Sequence, residues 1–160
     1  MPVAYPPVDS PASKKITVRA ATTDDVADVL ALWSAATVEP SATDDVDGVL
    51  ALLDTDRESL LLAIDDDDGT IVGTVIAAWD GWRGAMYRLA VLPSHRRRGI
   101  ATTLVEGGEQ RLRAKGARRF HLIVVSDEAP ARAFWAAAGY EQQDHRLRYV
   151  KTFPSEGTGG

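Results

Sequence analysis

The chain has 160 residues, 45% of them apolar, enough for one domain with a real hydrophobic core. Its formal net charge of -5 argues against nucleic acid as the main partner. It contains no cysteine, which excludes a disulfide scaffold, a cysteine-ligated zinc and a thiol nucleophile.

Residues 1–14 are rich in proline and serine and read as a flexible leader without the apolar core of a signal peptide. No apolar run approaches the length of a membrane span, so a cytoplasmic protein with no membrane partner is the expectation. Ile16 to Arg19 alternates as a first strand. Thr22 or Thr23 caps a helix with Asp24 and Asp25 in its first turn and Val26, Val29, Leu30 and Trp33 on its apolar stripe. A loop over 34–43 precedes a second helix, Asp44 to Leu53, with Val46, Val49, Leu50 and Leu53 inward. Ser59 to Ile64 and Thr70 to Ala78 form a hairpin around the acidic turn Asp65 to Gly69. The loop Trp79 to Gly84 leads to a strand over 85–92. A long helix follows from about Gly99 to Lys115, with Ile100, Leu104, Val105, Gly108 and Leu112 on one side and Gly116 as its stop. Arg118 to Val125 reads as a central strand and Glu128 to Ala138 as a helix closed by Gly139. Tyr140 to Phe153 reads as one or two closing strands, and residues 154–160 as a flexible tail. The domain proper is 15–153, an α/β or α+β sheet covered by helices.

One segment carries chemistry. The strand Leu89-Ala90-Val91-Leu92 ends at Pro93, and Arg96-Arg97-Arg98-Gly99-Ile100-Ala101 then opens the long helix. The first turn of a helix leaves N–H groups unpaired, which suits a phosphate chain. Gly99 allows close backbone approach, and Ala101 keeps it open. Arg96, Arg97 and Arg98 add positive charge, and Thr102 and Thr103 add hydroxyls. The competing reading is a solvated basic loop capping an ordinary helix. No Gly-x-x-x-x-Gly-Lys-Ser/Thr and no Gly-x-Gly-x-x-Gly pattern is present, which disfavours a P-loop enzyme and a nicotinamide fold.

Arg96, Gly99 and Ala101 match the pattern Arg/Gln-x-x-Gly-x-Gly/Ala. Ala131-Arg132-Ala133-Phe134-Trp135-Ala136-Ala137-Ala138-Gly139-Tyr140 resembles a second signature, Ala-x-x-Phe-Tyr-x-x-x-Gly-Phe/Tyr. On these two segments the chain resembles the GCN5-related N-acetyltransferase (GNAT) superfamily, and most closely the small bacterial amine or ribosomal-protein type. The resemblance implies a mixed, mostly antiparallel sheet, splayed between two strands, with helices on both faces. It implies acetyl-CoA as co-substrate and a primary amine as acceptor: a protein N-terminus, a lysine or a small molecule. It also admits a homodimer. Backbone groups of Leu89, Ala90 and Val91 would meet the pantetheine arm. Amides from Arg96 through Gly99 and Ile100 to Ala101, with Thr102 beside them, would hold the pyrophosphate. Ala131, Phe134 and Trp135 would line the other side of the arm.

Acetyl transfer needs a neutral amine, a stabilised thioester oxygen and a stabilised leaving thiolate. The Val91 N–H is the expected oxyanion donor. Trp135 stands where the family often has an acidic tyrosine, and an indole is no efficient acid. Tyr87 and Tyr149 are the alternative donors, and Tyr140 reads as packing. Asp80 or Glu128 is the candidate base, acting through water, although Asp127 and Glu128 also suit a helix cap. His121 reads as a core histidine. His95 reads as a loop contact, a phosphate contact or plain surface. The three histidines share no ligand spacing, so no metal is expected. Trp79 and Trp82 are candidate walls for the acceptor, and Asp44 and Asp45 read as caps. The alternative function is a CoA-binding regulatory module with weak or no catalysis.

Overall fold

The computed structural model describes residues 15–36, 38–124 and 129–154. They fall into two compact units that divide between Ile123 and Val124. The first contains β1 (Ile16–Ala20), α1 (Val26–Ala35), α2 (Val46–Thr55), β2 (Leu60–Asp65), β3 (Ile71–Trp79), β4 (Gly84–Val91), α3 (Ile100–Ala114) and β5 (Phe120–Leu122). The second contains α4 (Ala129–Ala137). The sheet order is β1-β2-β3-β4-β5, with antiparallel pairs up to β4 and a parallel β4–β5 pair. The mixed, mostly antiparallel class expected from the sequence is the class observed.

Helices cover both faces because the strands are apolar on both faces. Leu60, Leu61 and Leu62 of β2 are all fully buried. Side chains alternate along a strand. Leu60 and Leu62 join Val29, Leu32, Trp33, Val49 and Leu53 of α1 and α2 in one core. Leu61 points the other way, to α3, where its Cδ1 would lie 3.5 Å from a Cβ built on Gly107. At Gly108 the fit is tighter: a Cβ would meet Met86 Cε at 3.1 Å and the Ala77 Cβ at 3.2 Å. Gly108 therefore lets α3 lie close on the sheet, whereas Gly107 has ordinary room. Gly107→Ala is expected to stabilise the fold by about 0.5–1 kcal/mol, since alanine has the better helix propensity. Gly108→Ala should give no such gain. Urea unfolding of the two variants checks the pair.

The start of α1 is set by charge as well as by pattern. A short 3-10 turn, Thr23–Asp25, comes first. Asp25 accepts hydrogen bonds from Arg19 Nη1 and Nη2 at 2.8 and 2.9 Å and from the Thr22 N–H at 2.8 Å. The Arg19 bond, followed by the Thr22 bonds, holds the Asp25 carboxyl below its ordinary pKa against the opposing effect of burial. A depressed folded pKa stabilises above the unfolded value, about 3.9, and that stability is lost as pH falls through the folded value. The Tm gap between wild type and Asp25→Asn is therefore expected to be wide at neutral pH and to narrow as pH falls below the ordinary carboxylate range. An unchanged gap would refute this.

Three expectations need correction. In α2 the inward residues are Val49 and Leu53, while Val46 and Leu50 are 51% and 37% exposed. The helix has one packed side, and Leu52 rather than Leu50 completes it. The strand expected over 118–125 is paired only at Phe120–Leu122 and lies at the edge of the sheet. Its Ile123 is 58% exposed, and Val125 lies outside the described residues. No strand forms over 140–153. Leu147, Tyr149, Val150 and Phe153 are exposed there. Alternating side chains favour a strand, but a strand exists only where a neighbouring edge takes up its N–H and C=O groups.

Candidate active site

The site is built on an irregularity in β4. Thr74 of β3 pairs with Ala90, but Ile76 pairs with Tyr87, so Arg88 and Leu89 together face one residue of β3. This is a β-bulge, and Arg88 takes it in the left-handed region at φ 53°. Beyond the bulge the Leu92 N–H bonds the Val72 carbonyl of β3 at 2.9 Å. Peptide groups alternate sides along an antiparallel ladder. The groups of Ala90 therefore face β3, and those of Leu89 and Val91 face away from it. Ala90 is a correction to the expected set: its partner is Thr74, and the open-edge role falls to its two neighbours.

On that other side β5 pairs only with Gly84, Ala85 and Met86. Among the described residues no strand continues alongside Tyr87 to Val91. The sheet is splayed there, and the Val91 N–H points into the opening. The Val91 carbonyl already accepts a bond from Arg96 Nε at 3.3 Å.

β4 then runs into the basic turn. His95 Nε2 meets Asp65 Oδ2 at 2.9 Å and its Nδ1 meets Ser94 Oγ at 2.8 Å, tying the turn to the end of β2. The bond to His95, with the Asp67 N–H, holds the Asp65 carboxyl below its ordinary pKa. This settles His95 as a loop contact. Arg96 also donates from Nη2 to the Ala36 carbonyl at 3.3 Å, so its side chain ties the turn to the end of α1. Arg97 has φ 64° and Gly99 φ 77°, and residues 96–99 are all exposed. Two left-handed residues so close together fold the backbone back on itself before α3 starts. No side chain caps α3, and its first turn contains no acidic residue. The N–H groups of Ile100, Ala101 and Thr102 have no partner within the helix. This arrangement fits a bound pyrophosphate: exposed amides at the positive end of a helix dipole, with no carboxylate competing for them.

Other expected residues are placed elsewhere. Asp80 accepts from the Trp82 and Arg83 N–H groups at 2.8 and 2.7 Å. The Arg83 bond and then the Trp82 bond lower its pKa. It closes the turn before Gly84, and at ~3.3 Å per residue along β4 it lies roughly 20 Å from Val91. Trp82 is exposed in the same turn, stacked under the Arg83 guanidinium at 3.9 Å. His121 is exposed on β5 rather than buried in a core. Tyr87 is half exposed beside the bulge. Glu128 lies outside the described residues. In the second unit Ala131, Phe134 and Trp135 share one stripe of α4. Trp135 packs edge-on against Phe134 and Tyr140, with ring centroids 5.2 and 5.0 Å apart. Tyr149 is exposed in that unit.

Sequence reading missed Arg88, Thr74 and the role of Asp44. Arg88 Nε and Nη2 each bond an Asp44 oxygen at 2.8 Å, a bidentate pair from β4 to the loop before α2. Asp45 alone caps α2, through the Gly48 N–H at 2.7 Å. A positive φ at a non-glycine residue leaves no mark in the sequence.

A splayed edge leading into an uncapped helix defines an acyl-CoA transferase type of site, and comparison with known proteins agrees. The model of the Acetyltransferase (GNAT) family matches residues 26–140. An acetyltransferase of Yersinia pestis (strain Pestoides F) is 32% identical over 127 residues, covering 79% of this chain and 89% of that protein. Among solved structures, Ard1 from Thermoplasma volcanium superposes with a TM-score of 0.70 at 20% identity, over 78% of this chain and 82% of that one. AAC(6')-Iy in complex with the bisubstrate analogue CoA-S-monomethyl-acetylneamine superposes with a TM-score of 0.66 at 21% identity, over 86% and 99%. The chain belongs to the acetyltransferase (GNAT) family and is an acetyl-CoA-dependent N-acetyltransferase. Among the described residues no helix is long and apolar enough to cross a membrane.

Proposed function

We propose that the protein transfers the acetyl group of acetyl-CoA to a primary amine by direct attack within a ternary complex. The observation that carries this reading is the continuity of two features. An open strand edge at Leu89 and Val91 leads directly into the uncapped start of α3. The pyrophosphate rests on the amides from Arg97 to Thr102, with charge from Arg97 and Arg98. The pantetheine arm pairs with Leu89 and Val91 as a further strand would.

The amine lone pair attacks the thioester carbonyl carbon. The carbonyl oxygen gains charge, and the Val91 N–H stabilises it; one such donor contributes about 10²–10³ in rate. The C–S bond then breaks and the electron pair leaves on sulfur. The amine proton passes to water, and the thiolate is protonated from Tyr87 or from water. Asp80 has no part in this scheme, because its carboxylate is occupied in a remote turn and its lowered pKa makes it a weak base. The test is thiol release from acetyl-CoA with a panel of peptide N-termini, lysine peptides and small amines. Turnover with any of them supports the transferase. Tight CoA binding with no turnover across the panel would favour the regulatory module.

A further inference from the structure

The bulge in β4 is held by a buried polar chain that the expected chemistry does not explain. Trp33 Nε1 of α1 donates to Thr74 Oγ1 of β3 at 2.9 Å, and Thr74 Oγ1 donates to the Arg88 carbonyl at 2.8 Å. Thr74 is fully buried and Trp33 is 4% exposed. The neighbours of Thr74 on that side of β3 are Ile71 and Ile76, and the core it faces is apolar. Valine at 74 and phenylalanine at 33 would fill the same space without burying polar atoms. The one group these hydroxyl and indole bonds secure is the carbonyl of a residue in strained backbone. Asp44 grips the guanidinium of that same residue from the loop before α2.

The register beyond the bulge decides which amide meets the thioester. Without the extra residue, β4 would slip by one position against β3, and a slip of one reverses every peptide group. Ala90 would then face the open edge, and Val91 would turn inward.

We propose that Thr74, backed by Trp33, is a positioning residue that locks the β4 bulge and so holds the Val91 N–H at the thioester oxygen. The proposal rests on the oxyanion role given to Val91 above. Its test uses the full chain with acetyl-CoA labelled with ¹³C at the carbonyl. Infrared difference spectra read the bound carbonyl stretch, which a hydrogen bond lowers, and steady-state kinetics read kcat and the KM for acetyl-CoA.

In wild type the stretch should fall on binding. Thr74→Val should abolish that fall and lower kcat by about ten- to a hundredfold. Its KM for acetyl-CoA should rise by less than kcat falls, because the pantetheine contacts at Leu89 and Val91 shift while the pyrophosphate amides lie on another segment. Thr74→Ser, which keeps the hydroxyl, should restore both readouts. Trp33→Phe keeps the Thr74–Arg88 bond and should show a partial loss of both, and it carries the test if Thr74→Val fails to fold. A wild-type stretch that does not move would overturn the Val91 role and the lock together. A wild-type shift retained in Thr74→Val, or in Trp33→Phe where that variant stands in, overturns the lock alone. So does a Thr74→Ser protein no better than Thr74→Val.

Discussion

Ala101→Glu is expected to raise the KM for acetyl-CoA by roughly two orders of magnitude while leaving the Tm unchanged or slightly higher. The two effects have opposite signs because one position serves two purposes. Ala101 lies in the first turn of α3, which has no acidic residue and no side-chain cap. A carboxylate there completes the helix dipole and stabilises the helix by about 0.3–1 kcal/mol. The same carboxylate stands where the pyrophosphate is proposed to sit. At an effective dielectric near 20, two unit charges about 4 Å apart repel by up to ~4 kcal/mol. Screening and movement of the glutamate reduce this to about 2–3 kcal/mol, which is a factor of about 30 to 150 in binding. Calorimetry with CoA and a thermal melt check the two halves independently. A variant that keeps its CoA affinity would place the phosphates elsewhere.

Asp56→Ala is expected to cost about 2–4 kcal/mol of stability, whereas Arg111→Met should cost no more than about 1 kcal/mol. Arg111 is drawn into the interior from α3, with only 2% of its side chain exposed. Its Nε donates to the Ala77 carbonyl at 3.2 Å and its Nη2 to Asp56. Its Nη1 is buried without a hydrogen-bond partner, and the nearest Glu58 oxygen is 3.9 Å away. Removing the aspartate leaves a buried cation with its anion gone, which is the expensive way to break such a pair. Removing the arginine leaves Asp56, a quarter exposed, to be hydrated by solvent. Urea unfolding at neutral pH orders the two variants, and the reverse order would mean that the guanidinium reaches water in the native state.

Much of the first unit was legible in the chain. The apolar stripe of α1, the hairpin around Asp65 to Gly69 and the inward face of α3 all follow from spacing, and the structure places them as expected. Gly99 and Gly116 mark the two ends of α3 and both have positive φ. The exposed turn before α3 was readable for the same reason: a glycine, three arginines and a helical pattern are adjacent in sequence. The failures have a common cause. Leu50 was assigned inward because the stripe fixes which residues share a side but not how wide the packed side is. The segment 140–153 alternates like a strand, yet pairing is a property of two segments. Asp80 looked available because sequence shows a carboxylate near a strand and not the backbone amides that occupy it.

By itself, then, the sequence determined the elements whose cause lies within about one helical turn or one hairpin: periodicity, caps, tight turns and the glycine-led start of α3. Tertiary structure alone decided the register of β4 beyond Arg88, the short edge strand β5 and which peptide N–H faces the opening. The carbonyl in the bulge is hydrogen-bonded by Thr74, which is in turn bonded by Trp33, 41 residues away. Groups that far apart in the chain meet only when α1 packs on the sheet, so the role proposed for Val91 rests on a contact that no local pattern encodes.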